Sequence, residues 1–360
     1  MSTGEERSAP PLGMLESVDD FDAINQFYRE KGLTDGLPIV PPTRARVNAM
    51  VAGAGRPRAT LISQLAPAFG LATVESIAIN AVMAGCDPIF MPVLIAAVEA
   101  VSAPEFNLQA VQATTNPVAV WIIINGPIAR ELGVNHHMNC LGEGNWANAT
   151  IGRAMRLIQR NIGGALPGDM DRTEQGQPGR YSFCCAENED ANPWEPLHVE
   201  RGFRREQSTV TVVGAEGTMN MNTHAEGAAL LRAIAGTMVH PPSNEYMFGG
   251  EPWLILGPEH ASKLARAGYS KEDVKAQLWE MSKMPAGRLS PIDIERTRKM
   301  RTTELGVSIV TETMLPISPS PKQMGLIVAG GAGTHSTYVP SFGVMRAVTR
   351  AIATGLEKKT

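Results

Sequence analysis

The sequence predicts an α/β fold: a mostly parallel sheet flanked by helices, arranged as two similar lobes. Three observations carry this reading. Short apolar runs rich in β-branched residues, such as Val118 to Ile124, have the length and pattern of strands buried on both faces. Several such runs end in a Gly-bearing loop that leads into a helical pattern. Two of them share a signature: Ile124-Asn125-Gly126-Pro127 and Leu256-Gly257-Pro258 each send a strand through Gly-Pro into a helix. Parallel strands would gather such loops along one rim, where α/β proteins bind ligands.

Taken in order, residues 1–13 read as a disordered tail. A helix is expected over about Val18 to Lys31. The proline-stiffened stretch Leu33 to Thr43 follows, with Asp35-Gly36 as a turn and the whole as a strap able to close over a pocket. Thr43 caps the next helix. Residues 73–102 read as two deeply packed helices, with Thr73 as N-cap and a break at Gly85-Cys86-Asp87-Pro88. Residues 14–165 then form a first lobe, 166–207 a connecting region and 208–360 a second lobe. In that second lobe strands are expected at Thr209 to Val213, Trp253 to Leu256 and Gly325 to Ala329. Helices are expected at about Ala225 to Met238 and from a capping box at Ser270 to about Met281.

The composition narrows the function. The 360 residues carry a net charge of −4 and 5% aromatic residues, which gives no electrostatic or stacking case for nucleic acid or an anionic membrane. Four cysteines in such a chain are no disulfide scaffold, so reduced thiols and a cytoplasmic location are expected. The N-terminus has no apolar core of a secretory signal. A homo-oligomer, by default a dimer, is the expectation for a soluble enzyme.

The loops supply candidate chemistry. After the 118–124 strand, Asn125 and Gly126 lead to a polar loop with His136, His137, Asn139, Cys140, Gly142, Glu143, Gly144 and Asn145. The following helix, from about Trp146, takes Asn145 or Asn148 as N-cap and carries Arg153, Arg156 and Arg160 on one face. Such a stripe is usually solvated, but Arg153 lies near the helix start, where an anion would have two attractions. The bland alternative for this whole unit is a packed βα pair with an ornate loop. Gly330-Gly331-Ala332-Gly333, followed by Thr334, His335 and Ser336, could cradle a carboxylate or phosphate with backbone N–H groups. It is no dinucleotide fingerprint, and no ATP-type phosphate loop occurs. The segment Cys184-Cys185-Ala186-Glu187-Asn188-Glu189 offers a thiol nucleophile, of which strand alternation would turn one cysteine inward and one outward. Buried inert thiols are the alternative. His136, His137, Cys140 and His198 have partial metal-like spacing, without a complete zinc motif.

The stretches TDGLPIVPPT, INAVMAGCDP, IIINGPIARELG, NCLGEGNWANATIGRAMRLIQRNIGG, FCCAENE, PWEPLHVERG and VAGGAGTHS together resemble a bacterial family of poorly characterised proteins found with UGSC proteins, small chains bearing a selenocysteine-or-cysteine-Gly-Ser-Cys motif. The resemblance covers most of residues 33–350. It implies a thiol or selenol partner chain, since no Cys-Gly-Ser-Cys occurs here. It carries Asn125-Gly126-Pro127, Gly142, Gly144, Asn148, Arg153, Asn161, Cys184, Glu187, Asn188 and 330–335 as family motif positions, while His136 and His137 fall in a variable part of the loop.

These readings converge on an enzyme for a small carboxylate- or carbonyl-bearing molecule, working by thiol-linked redox or carbon–heteroatom bond chemistry. Cys184 or Cys140 is the expected nucleophile or docking point, and Glu187 and His335 are the expected proton carriers. The expected binding residues are Asn125, Gly126, Asn139, Gly142, Glu143, Gly144, Asn148, Arg153, Asn188, Gly330, Gly331, Gly333, Thr334 and Ser336. The alternatives are a metal-dependent hydrolase or lyase using His136, His137, His198 or Cys140, and a non-catalytic subunit that presents a partner.

Overall fold

The computed structural model describes residues 20–353. The expected tail lies outside them, as does the expected helix start at Val18. Helices α1 (Phe21–Glu30) and α2 (Arg44–Gly53) precede a hairpin, β1 (Leu61–Leu65) and β2 (Gly70–Thr73). Helices α3 (Val74–Ala84), α4 (Met91–Val101) and α5 (Leu108–Ala113) lead to β3 (Ala119–Asn125). Helices α6 (Ile128–Glu131) and α7 (Trp146–Asn161) carry the chain to β4 (Cys184–Ala186), and α8 (Leu197–Glu200) to β5 (Thr209–Ala215) and β6 (Met219–Asn222). Helix α9 (Gly227–Met238) precedes β7 (Trp253–Leu256). Then come α10 (Pro258–Arg266), α11 (Lys271–Met281), β8 (Met284–Pro285), α12 (Pro291–Leu305) and β9 (Met314–Leu315). Strands β10 (Gly325–Val328), β11 (His335–Val339) and β12 (Val348–Ala351) complete the described fold.

Local chemistry sets many of these boundaries. Thr73 opens α3 through a reciprocal bond pair with Ser76, and Gly85 ends it at φ 87°. Ser270 and Asp273 do the same at the start of α11. Pro258 opens α10, where its missing N–H costs nothing.

The fold is α/β, but its sheets are mixed rather than mostly parallel. One four-stranded sheet has the order β4-β3-β5-β12 and the other β10-β7-β11-β6. In each, only the first pair is parallel (β3 with β4, β7 with β10), and the next two pairings are antiparallel. The physical reason is that β5 and β11 run back beside β3 and β7 in the opposite direction. An apolar run looks the same in either direction, so its composition does not report that reversal.

The two sheets trade strands. After β5 the chain leaves for the other sheet, where β6 pairs with β11; after β11 it returns, and β12 pairs with β5. An expected lobe boundary at 208 therefore passes through a sheet, because β5 and β12 both stand with β3. Alternation along the second sheet shows how the layers stack. Trp253, Ile255, Ile327 and Val339 join the core around the first sheet, while Leu254, Leu256, Leu326, Val328 and Tyr338 pack with α9, α10 and α11 residues such as Leu230, Leu264 and Leu278. Among the described residues, no single helix is long and apolar enough to cross a membrane.

Candidate functional site

The C-terminal ends of the two parallel pairs meet. The Asn188 N–H, just past β4, donates to the Val328 carbonyl at the end of β10 at 2.7 Å, and the Gly330 N–H donates to the His136 carbonyl at 2.9 Å. The loop after α6 is thereby laid across both ends. Gly331 packs against Met138 so closely that a Cβ there would lie 3.2 Å from the Met138 Cβ. So His136, His137, Asn188 and Gly330 to Gly333, separated widely in sequence, share one rim.

Hydrogen bonds at this rim fix two imidazoles in opposite roles. Asn188 Oδ1 accepts from the Ala191 N–H (3.3 Å), which turns Nδ2 toward His137 Nδ1 at 3.2 Å. Nδ1 of His137 is then the acceptor, and its Nε2 carries the proton. His335 Nδ1 faces Asn220 Oδ1 at 3.0 Å, so Nδ1 carries the proton and Nε2 is left with a lone pair. Both rings are solvent-exposed. His136 lies against His137 with ring centroids 3.9 Å apart and ring planes tilted by 47°, and partial burial holds its pKa below the usual value. Thr334 Oγ1 donates to Asn222 Oδ1 at 3.2 Å. Among the described residues, the backbone N–H groups of Gly331, Ala332 and Gly333 donate to no protein acceptor.

Beneath the rim lies a buried carboxylate network. Glu187 is almost fully buried; its Oε2 accepts from Asn125 Nδ2 (2.6 Å) and the Leu197 N–H (2.8 Å), and its Oε1 from Asn192 Nδ2 (2.8 Å). Burial raises its pKa against the pull of Lys271. Glu189 Oε1 accepts from Asn125 Nδ2 (3.0 Å) and the Gly126 N–H (2.7 Å), and lies 3.6 Å from His198 Nδ1. Asn125 Oδ1 is buried without a protein donor. The network clamps the turn after β3 to the segment after β4 and sets the floor of the rim.

The remaining expected residues are placed elsewhere. Arg153 is already occupied: its Nε and Nη2 grip both Asp35 oxygens at 2.8 and 2.9 Å, and Nη2 also donates to the Pro38 carbonyl. It holds the strap rather than a ligand. Arg156 and Arg180 share Asp171, and Arg160 donates to the Gly32 carbonyl, so the stripe is engaged along its length. Asn148 is not the cap of α7. Asn145 takes that position without a side-chain bond, while Asn148 Nδ2 lies 3.0 to 3.2 Å from the carbonyls of Asn135, Cys140 and Cys184. Asn139, Gly142, Glu143 and Gly144 build their own turn: Asn139 sits at φ 60° with Nδ2 on the Glu143 carbonyl at 2.8 Å, and a Cβ on Gly142 would strike the Asn139 side chain. Ser336 is buried and joins the Gly257 N–H to His260.

All four cysteines are free and buried. Strand alternation led to the expectation of one outward thiol at 184–185, but the sheet is covered on both faces at β4, and neither faces solvent. Burial pushes the Cys184 thiol well up and the Cys86 thiol up to about 12, so neither is a ready nucleophile. His198 lies against Glu189, and among the described residues no three His, Cys, Asp or Glu side chains are placed to hold a metal ion.

A second acidic cluster had no local signal in the sequence. Glu245, wholly buried in a π-helical turn (Glu245–Gly249), accepts from the Ser341 N–H at 2.9 Å and bonds the Tyr338 hydroxyl. Glu216 bonds Asn244, the residue before it. Burial lifts Glu216 to about 7 and Glu245 to about 8.

The chain matches no protein-family model, and no curated protein sequence is significantly similar to it.

Proposed function

We propose that the protein is an enzyme for a small carboxylate- or carbonyl-bearing molecule, bound at the rim formed by Asn188, His137 and the 330–335 loop. The observation that carries this reading is a rim that holds two oppositely set imidazoles and three unclaimed backbone N–H groups. The amides of Gly331, Ala332 and Gly333 would hold the carboxylate or developing oxyanion. His335 Nε2 would accept a proton and His137 Nε2–H would give one, the two halves of general acid–base work on a carbon–heteroatom bond. Glu187 and Asn125 would position the turn beneath them. Neither Cys184 nor Cys140 opens onto the surface, so a thiol taking part at the rim would come from another chain. The resemblance to the UGSC-associated family supports a small Cys/Sec-Gly-Ser-Cys protein in that role.

The test is a panel of small carboxylates and carbonyl compounds screened by calorimetry against the wild type, His137→Ala and His335→Ala. Saturable binding of one class is expected. Turnover of that compound should fall by about 10²–10⁴-fold in either variant, the usual contribution of a positioned acid or base. Binding and turnover that are equal in all three proteins would remove both imidazoles from the reaction.

A further inference from the structure

A small crevice opens where the first sheet loses its edge. Strand β4 starts at Cys184, opposite Ile122, so it leaves the first residues of β3 uncovered. The Ile122 N–H donates to the Phe183 carbonyl at 2.9 Å, and the Val120 N–H, two residues earlier, points the same way. Among the described residues the Val120 N–H meets no protein acceptor. A short helical turn, Pro178–Arg180, packs against β3 in place of a strand. Helix α7 forms another wall, with Gly152 so close to the segment before β4 that a Cβ there would lie 2.3 Å from Ser182 Oγ. The cavity between them measures about 10 Å³, and its lining includes Val120, Gly152, Arg156, Gln159, Gly179 and Arg180. That volume takes one occupant the size of a water. Gly179 and Arg180 are half-buried, which leaves the crevice open to solvent on their side.

The side chains around the crevice have more donors than acceptors and more positive charge than negative. Arg156 and Arg180 both bond Asp171 Oδ2, while Thr173 gives its N–H (3.1 Å) and its hydroxyl (2.6 Å) to Oδ1. Asp171 thus accepts four bonds, the capacity of a carboxylate, and its single charge is shared between two guanidinium groups. The Gln159 side chain is 2% exposed, yet among the described residues its Nε2 has no acceptor, and neither has Gln112 Nε2. A buried amide donor left in that state costs free energy that an acceptor would recover. Burial and the neighbouring Arg180 hold the Arg156 pKa down at about 10, a crowding that a negative charge would relieve.

We propose that this crevice is a binding site for a monatomic anion, chloride, held by the Val120 N–H, the Arg156 and Arg180 guanidinium groups and the Gln159 amide. A water matches the size, but it brings no charge against the second guanidinium and needs acceptors for its own protons. A carboxylate or phosphate exceeds the volume. Bound chloride would pin the Pro178–Arg180 turn to β3 and α7, closing the gap that the short β4 leaves in the sheet. The crevice shares no residue with the rim of Asn188, His137 and the 330–335 loop, so its test is independent of the proposed reaction.

Bromide, which replaces chloride and scatters anomalously, is the crystallographic probe. Crystals of the full chain grown in sodium bromide should show an anomalous peak within hydrogen-bonding reach of the Val120 nitrogen and both guanidinium groups. In solution, thermal unfolding is followed while sodium gluconate, whose anion is too large to enter, is exchanged for sodium chloride at fixed ionic strength. The wild-type midpoint should rise saturably, by roughly 2 °C when chloride reaches about ten times its dissociation constant. Gln159→Glu supplies its own negative charge to the crevice, so the bromide peak and the chloride response should both vanish from a folded protein. Arg180→Gln removes one cation and should weaken chloride binding by about tenfold or more. Circular dichroism confirms that each variant is folded. A wild-type midpoint that follows ionic strength alike in both salts, or an undiminished chloride response in both variants, would overturn the site. A bromide peak without a chloride response in solution would mean an adventitious ion only, and would overturn it as well.

Discussion

The Trp121 indole meets the Trp253 indole edge to face, with ring centroids 5.7 Å apart at 81°. Each tryptophan is followed by three aliphatic residues that lead to its sheet's Gly-Pro turn, and both are wholly buried. The contact therefore joins matching positions of the two sheets at the centre of the molecule. Trp253→Ala should cost about 3–5 kcal/mol, the range for deleting a large buried aromatic. Urea titration followed at probes in both sheets should show one transition shifted as a whole. Separate transitions for the two sheets would contradict a shared core.

The Arg153–Asp35 fork should govern the strap over residues 33–43. Both side chains are largely buried, and the pair is bidentate. Arg153→Ala leaves a carboxylate without its partner and should destabilise the protein by about 3 kcal/mol. Limited proteolysis should then cut between Leu33 and Thr43 at least ten times faster than in the wild type. An unchanged cleavage pattern would show that the strap is held by other contacts.

Glu245 makes stability depend on pH with a definite sign. Its folded pKa of about 8 lies above the ordinary carboxylate value, so the folded state holds the proton longer than the unfolded chain does. The favourable contribution is complete below about pH 4.5 and is lost as pH rises through about 8, at about 1.4 kcal/mol per unit of difference. Glu216, raised to about 7, adds in the same direction. The urea midpoint should fall between pH 5 and pH 9, and Glu245→Gln should flatten that fall. Parallel curves for the two proteins would assign the pH dependence to other groups.

Gly333→Ala probes the amide cradle. Gly333 sits at φ 140°, a conformation that side chains disfavour, while nothing within 4 Å would meet the added methyl. The change should cost about 1–2 kcal/mol of stability and weaken carboxylate binding by about tenfold or more, because the loop must shift its N–H groups. Unchanged affinity with the expected loss of stability would move the anion away from this loop.

Features written in adjacent residues were legible in the sequence. The apolar run through Ile124, the N-cap at Thr73, the capping box at Ser270, the strand at Trp253 and the Gly-Pro echo all stand where local chemistry puts them. Strand direction was not legible, because Val210 and Val212 pair as well with an antiparallel as with a parallel neighbour. Partnerships between distant side chains were hidden for the same reason. Nothing around Arg153 names Asp35, and nothing near Glu245 announces Tyr338. The rim itself was half visible: its Gly-bearing loop and both histidines stood out, but the Asn188 contact that joins them depends on two strand ends from different sheets.

The reciprocal passage of β6 and β12 leaves the molecule without a severable half. Cleaving the chain in the β6–β7 connection would leave the upstream fragment's sheet missing its β12 edge, and the downstream fragment's sheet missing β6. Expressed separately, the fragments should be poorly soluble; mixed together, they should rescue each other by completing both sheets.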